Sequence, residues 1–184
     1  MPRFRKIAFV CAVAGVVFST INCHAQEAQK TLFQVQTGFL GMWVGAEFPV
    51  TKNFILRAEA GLDAGFFGGI SNDDNGFVLA PVLTIEPRYY YNFGKRTEKG
   101  KQTRNNSGNF FGIKSSFHPD WFLISDVADV TINQQLTVIP KWGIRRNIGK
   151  TNFNYELGFG IGRRFYRSES ETAADLHLRI GYTF

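Results

Sequence analysis

Three side chains near the middle of the chain have the types needed for nucleophilic hydrolysis. Ser116 and His118 lie two positions apart, and Asp120 follows Pro119. A nucleophile, a base and an orienting carboxylate could form a hydrolase of membrane lipid. Such an enzyme needs its nucleophile on a face that meets lipid. If residues 108–118 form a strand, its side chains point alternately to two faces, and Ser116 and His118 lie on the polar face, away from lipid. No oxyanion feature is visible either. We therefore predict that the protein is not an enzyme and that His118 forms hydrogen bonds near a strand end.

Metal ligands are sparse in this sequence. Beyond the first 25 residues the histidines are His118 and His177, which are far apart, and both cysteines, Cys11 and Cys23, precede them. This spacing makes no zinc-type cluster. The acidic stretch 72–75 could hold Ca²⁺ weakly, but a solvated polar loop explains it more simply. We expect no metal and no cofactor.

A glycine-rich run at 158–162 superficially resembles a phosphate loop. Its glycines occupy alternate positions, with Phe159 and Ile161 between them. In a strand, such glycines lie on one face and make room for large side chains opposite. We favour that structural interpretation.

The elements that must position these residues are alternating strands. The last of them, Ala173–Phe184, has apolar or aromatic residues at every second position and Asp175, His177 and Arg179 between them. Successive strand side chains point to opposite faces, so one face is apolar and the other is ionisable. The same pattern recurs in Asn53–Phe66, Phe77–Phe93, Gly108–His118, Gln134–Arg146 and Asn152–Phe165.

The polar faces of these strands carry nearly balanced charge. The predicted network comprises Arg57, Glu59, Asp63, Glu86, Arg88, Lys114, Lys141, Arg145, Glu156, Arg164, Asp175, His177 and Arg179. A solvated sheet face would also be mixed in sign, so the balance alone does not decide between water and an interior. Because the opposite face is almost free of charge in all six segments, the pattern favours an antiparallel up-and-down membrane barrel with its charges inside.

The N-terminus has the features of an export signal. Three basic residues precede the apolar run Ile7–Phe18, and a short polar stretch leads to Ala25. This pattern predicts a secretory signal peptide over residues 1–25, cleaved after Ala25, and one barrel domain over residues 26–184. Acylation at Cys23 is the alternative, but Asn22 before it is a poor match to a lipoprotein signal.

Charge and hydropathy exclude two further classes. The chain has 21 Lys and Arg against 15 Asp and Glu, and half of that excess lies in residues 1–25. No basic helix or RNA-binding motif follows, so we expect no nucleic-acid partner. No later stretch approaches the ~18 apolar residues of a membrane helix, so a bilayer could be crossed only by a closed barrel.

The connections predict which ends of the strands lie together. Pro49–Asn53 and Asn147–Thr151 are short turns of the periplasmic kind, whereas Gly68–Gly76 and Pro119–Asn133 are longer and polar, like extracellular loops. The basic connection Gly94–Ser107 falls on the side of the short turns by alternation.

The number of strands depends on residues 31–50. Phe33, Val35 and Phe39 share one parity, but Met42, Val44 and Phe48 have the other. The phase change at Gly38–Gly41 is either a tight turn between two strands or a bulge in one. A turn gives an even total of eight strands, which we predict.

The aromatic residues admit two interpretations. Trp43, Trp121, Trp142 and the run Tyr89–Tyr91 could bind sugars. Interface belts are the ordinary role of such residues in a barrel.

The sequence resembles known proteins in two respects. The final strand, with Tyr182 and the terminal Phe184, resembles the last strand of bacterial outer-membrane barrels, which implies recognition of these residues by the barrel-insertion machinery. The blocks Glu86–Asn92, Ile139–Arg146 and Leu176–Phe184 are similar to the small, porin-like or OmpA-like outer-membrane barrels of the Bacteroidota. This resemblance implies an outer-membrane location and supplies no catalytic motif.

We therefore expect a monomeric outer-membrane barrel with a lumen filled by charged side chains. Its role would be structural, or would be surface binding through the long loops, with membrane lipid as its surroundings and an unknown ligand. The alternative is a barrel that passes a small solute or releases an apolar one sideways into the membrane. An outer-leaflet lipid hydrolase is the third hypothesis.

Overall fold

A computed structural model describes residues 30–67, 76–121, 124–125, 133–166 and 169–184. The predicted signal peptide with its cleavage position, Ala25, lies outside the described residues, as does most of the loops Gly68–Gly76 and Pro119–Asn133. The described chain is an all-β closed antiparallel barrel with almost no helix.

Eight strands form the wall of the barrel. They are β1 (Leu32–Gly38), β2 (Gly41–Pro49), β3 (Phe54–Phe67), β4 (Gly76–Tyr89), β5 (Asn109–His118), β7 (Gln135–Asn147), β8 (Phe153–Tyr166) and β9 (Glu169–Thr183), with a two-residue segment, β6 (Ile124–Ser125). Sequential strands pair antiparallel, and β9 pairs with β1 to close the sheet. Segment β6 pairs with β4 beyond the end of β5, so β5 and β6 together occupy one strand position in the wall. The prediction of eight strands is confirmed.

The phase change at residues 38–41 is a tight turn. Gly38 pairs with Gly41, so Phe39 and Leu40 alone connect β1 to β2. Gly41 has a φ of 142°, and a Cβ there would lie 2.0 Å from the Leu62 carbonyl oxygen. Only glycine fits this position.

The two faces of the barrel wall differ sharply in polarity. Large exposed apolar side chains on the outer face include Phe33, Val35, Met42, Val44, Leu83, Ile85, Phe111, Ile113, Leu157, Phe159, Ile161, Leu176, Leu178 and Ile180. The inner face holds most of the buried charged residues. Inside the barrel, four buried apolar and aromatic side chains form a small cluster: Ile55, Tyr90, Phe93 and Phe110. The usual arrangement of a soluble domain, apolar inside and polar outside, is therefore inverted.

The connection between β4 and β5 closes one end of the barrel. Strand β4 ends at Tyr89, earlier than the predicted Phe93. Tyr90 keeps the inward parity of the strand, but Phe93, at a position of the outer parity, is buried and stacks on Tyr90 with ring centroids 4.6 Å apart. A short helix, α1 (Phe93–Glu98), and a 3-10 turn (Arg104–Asn106) follow. Arg104 Nη2 donates to the carbonyl oxygens of Lys150 and Thr151, at 2.8 and 2.7 Å. The connection therefore lies at the same end as the 147–151 turn, as the alternation predicts.

Prolines interrupt two ladders on the outer face. The β4–β5 register passes from Ile85 to Arg88 without paired residues at Glu86 and Pro87. The β7–β8 register omits Pro140 and its neighbour Ile139 in the same way. Each proline lacks the N–H that the ladder needs.

Candidate functional site

The centre of the lumen is the carboxylate of Glu156 on β8. Arg57 Nη1 donates to both of its oxygens at 3.0 Å, and Arg88 donates to them at 2.7 and 2.9 Å. His177 Nε2 lies 3.3 Å from Glu156 Oε1. Arg57, Arg88 and Glu156 are completely buried. One carboxylate thus joins β3, β4 and β8 across the interior.

A second carboxylate, Glu47, lies between the network and the closed end. It accepts hydrogen bonds from Arg145 and from Asn106 Nδ2, the latter at 2.6 Å. Gln34 Nε2 lies 3.4 Å from it. Asn106 belongs to the 3-10 turn, so this contact connects the β4–β5 connection to the lumen charges. We did not predict Glu47 as a lumen residue. Once β2 is recognised as a separate strand, however, alternation with the outward-facing Val44 and Phe48 indicates that Glu47 points into the lumen.

Two further carboxylates pair within the middle of the lumen. Glu86 lies 3.0 Å from Arg88 and 3.5 Å from Lys141. Glu59 pairs with Arg57 and with Arg179, the latter at 3.0 Å. Each cation here therefore lies within reach of a carboxylate.

The part of the lumen farther from the closed end, called the upper lumen below, is less buried. Asp175 accepts a hydrogen bond from Lys114 at 2.6 Å and contacts His177 Nδ1 at 2.8 Å. His118 Nε2 lies 3.0 Å from Asp63. Arg164, the remaining member of the predicted network, also lies at the upper lumen, where it forms an exposed pair with Glu171 at 3.0 Å.

The described interior is balanced in charge. Five cations and four carboxylates are buried, and the partly buried Lys114, Asp63 and Asp175 raise both counts to six. Removing charges from water costs several kcal/mol per ion, which pairing and hydrogen bonding must offset. The long side chains that satisfy this condition also fill the lumen, so the middle of the barrel is a packed ionic layer.

Two inward glycines leave room for rings in this layer. A Cβ on Gly158 would lie 2.5 Å from the His177 ring. A Cβ on Gly61 would lie 2.2 Å from the Trp43 ring. The geometry at residue 158 agrees with the structural interpretation of the glycine run.

The residues considered for hydrolysis make other contacts. The Ser116 hydroxyl hydrogen-bonds the Thr84 hydroxyl at 2.8 Å, and His118 contacts Asp63. Asp120 is exposed at the end of the strand. Across the described ranges, no group of three His, Cys, Asp or Glu side chains is placed to hold a metal ion.

The tryptophans have different environments. Trp43 lies inside the barrel, 6 % exposed, where its Nε1 donates to Asp63 at 2.8 Å and its ring stacks 3.7 Å from the Arg179 guanidinium carbon. It is therefore not part of an interface belt. Trp142 donates to the Tyr91 hydroxyl at 2.9 Å, in a hydrogen bond exposed on the outer surface. Trp121 is half-exposed near the strand end.

Comparison with known proteins identifies no relative. No family model matches the chain, and neither do any of the curated proteins or the solved structures. None of the helices in the described ranges has the length and apolar character required to cross a membrane.

Proposed function

We propose that this protein is an integral outer-membrane barrel whose ionic interior blocks conduction, and that it serves as a structural or surface-binding component through the loops at 68–76 and 119–133. The observation that carries the proposal is the inversion of polarity. A soluble barrel gains stability by burying apolar side chains, whereas this wall buries charge and exposes its apolar residues. Hydrocarbon is the surrounding in which that arrangement is favourable.

The distribution of outer aromatic side chains supports the same proposal. Near the closed end, Tyr91 packs on Phe111 at 5.2 Å, and Phe153 packs on Tyr182 at 5.0 Å. Tyr182 in turn contacts Phe184 at 5.1 Å. Rings grouped around one end of a barrel are typical of a membrane–water interface.

The location and family are part of the proposal. The export signal over residues 1–25 would deliver the chain to the cell envelope, and Tyr182 and Phe184 would be recognised by the insertion machinery. The similarity to small Bacteroidota barrels supports the outer membrane as the location. We propose a monomer surrounded by lipid, without nucleic acid.

Three measurements test the proposal. The mature chain should fractionate with the outer membrane, and its folded and boiled forms should migrate differently in detergent gels. Purified refolded protein should give no stable conductance steps in a planar bilayer, because ion-paired side chains fill the lumen. A monodisperse particle in buffer without any amphiphile would contradict membrane insertion, and reproducible open steps would contradict the blocked lumen.

Lateral transport is the second candidate, in which an apolar solute leaves the lumen through the barrel wall into the membrane. It is favoured by the unequal lengths of the neighbouring strands β1 and β9 near the β1–β2 turn.

A further inference from the structure

The wall of the barrel is incomplete beside the β1–β2 turn. Strand β1 pairs with β9 only from Gln34 opposite Thr183 to Gly38 opposite Arg179. Strand β9 continues for another ten residues, Glu169–Leu178, which within the described chain pair only with β8. The β1–β2 hairpin therefore ends well before the strand beside it.

The β1–β2 hairpin is too short for its turn to reach beyond the hydrocarbon layer of a membrane. Strand β1 has seven residues, whereas a tilted strand needs about 9–11 to cross the apolar core of a bilayer. Its turn consists of Phe39 and Leu40, which are 87 % and 44 % exposed, so two large apolar side chains project from the turn, which is unfavourable in water. Beyond the turn, the outer face of β9 remains apolar at Leu178 and Leu176. The opening therefore falls within the apolar band.

A cavity of about 410 Å³ connects this opening with the upper lumen. Phe39, Leu40, Leu176 and Leu178 line it on the side of the wall. Ser116, Thr137 and His118 line it on the side of the lumen, above the ionic layer. Its volume is within the range of small-molecule sites, ~300–1,000 Å³. One end of the cavity is apolar and the other can form hydrogen bonds.

The charges that line the cavity already have partners. Lys114 lies 2.6 Å from Asp175, Arg179 lies 3.0 Å from Glu59, and Arg164 lies 3.0 Å from Glu171. Asp63, also in the lining, accepts hydrogen bonds from Trp43 and contacts His118. A charged headgroup would add an uncompensated charge to this balanced surface, which is unfavourable.

We propose that the opening admits a single-chain, uncharged amphiphile from the surrounding lipid. The alkyl chain lies across Leu176 and Leu178, and a hydroxyl or ester head enters the lumen beside Ser116 and Thr137. The ionic layer below prevents passage along the barrel axis, so the ligand enters and leaves sideways. This inference rests on the proposed membrane insertion.

Trp43 provides a reporter inside the cavity. In a Trp121→Phe/Trp142→Phe variant, Trp43 is the one remaining tryptophan of the mature chain. The variant is inserted into phosphatidylcholine vesicles and titrated with a monoacylglycerol that carries bromine on its chain, because bromine quenches an indole only at close contact. We expect saturable quenching of Trp43, well above that given by a phospholipid brominated at the same depth. Equal quenching by the two lipids would overturn the inference.

A matched pair of substitutions tests the cavity itself. Ala173→Phe fills it from the inner face of β9, where Ala173 is 6 % exposed, while Ala60→Phe makes the same change on the exposed outer face of β3. We expect Ala173→Phe to abolish the quenching and Ala60→Phe to retain it. Unchanged quenching in Ala173→Phe would overturn the site.

The fatty acid with the same brominated chain tests the headgroup. Ionised, it should bind about tenfold more weakly than the monoacylglycerol, because it introduces an unpaired charge. Equal or tighter binding would overturn the preference for an uncharged head. Gel migration of every sample separates the two proposals: an inserted barrel without quenching contradicts only the lateral site, whereas a chain that never inserts contradicts the proposed function as well.

Discussion

Glu156 on β8 accepts two hydrogen bonds from Arg57 on β3, each 3.0 Å long, across 99 positions of the sequence. Both side chains are completely buried, and Arg88 on β4 approaches the same carboxylate. The contact spans the interior between strands that are not neighbours in the wall. The barrel is therefore cross-braced by ion pairs in the place where soluble domains have an apolar core.

Removing that carboxylate should destabilise the barrel strongly. In Glu156→Ala, Arg57 and Arg88 keep Glu59 and Glu86 but lose the carboxylate that they share, so the buried interior has one positive charge too many. Breaking a buried ion pair by removing one partner costs about 3–5 kcal/mol. Glu171→Ala is the control, because its pair with Arg164 is exposed and is worth about 0–1 kcal/mol. Urea unfolding in lipid vesicles, followed by tryptophan fluorescence, measures both. Equal stability of the two variants would show that the network does not support the fold.

The two faces of β9 should respond oppositely to an added carboxylate. Leu178 is 57 % exposed on the outer face, whereas Thr183 is buried and accepts a hydrogen bond from Arg145 at 3.0 Å. In hydrocarbon, Leu178→Asp exposes a charge that nothing neutralises, while Thr183→Asp places it beside a guanidinium. We expect Leu178→Asp to reduce the heat-modifiable folded fraction several-fold and Thr183→Asp to leave it nearly unchanged. Similar fractions for the two would mean that the outer face does not meet lipid.

Alternation was sufficient to predict the long strands and the residues on their polar faces. Strands such as β8 repeat the two-residue period over 14 residues, so a register error would move every charge outward. The eight-strand count followed from the phase change at Gly38–Gly41. These features depend on local pattern, which is present in a single sequence.

Features that depend on tertiary packing were missed. Trp43 was assigned to an interface because its type suggests one, but its neighbours Asp63 and Arg179 are distant in sequence and hold it inside. Glu47 was overlooked for a different reason: the predicted network was drawn from the six segments after residue 50, and Glu47 lies before them, in β2. Strand β4 was predicted too long, since nothing local to Phe93 indicates that its ring packs on the buried Tyr90.

The closed end should depend on Arg104. Its guanidinium donates to the carbonyls of Lys150 and Thr151 and to Asn152 Oδ1 at 2.9 Å, which ties the β4–β5 connection to the neighbouring turn. Arg104→Ala removes these contacts and should favour local opening. We expect faster cleavage after Glu98 by a glutamate-specific protease, detected by mass spectrometry.

Lys99→Ala is the control for that experiment. Lys99 is exposed in the same connection and lies beside the cleavage position. Its removal should leave the cleavage rate near that of the parent protein. If both variants are cleaved equally fast, Arg104 does not hold the connection in place.

The apolar β1–β2 turn should require a hydrocarbon surrounding. Phe39→Asp places a charge in a turn that we locate within the apolar band, because β1 is only seven residues long. Ile148→Asp makes the same change in the 147–151 turn, at the closed end, where Ile148 is 45 % exposed. A charge costs about 2–4 kcal/mol at the midplane of a bilayer and about 0–1 near its surface, with carboxylates toward the lower values. The folded fraction in vesicles should therefore fall several-fold for Phe39→Asp and little for Ile148→Asp. Full insertion of Phe39→Asp would place its turn in water, and the opening beside it would then face solvent and not lipid.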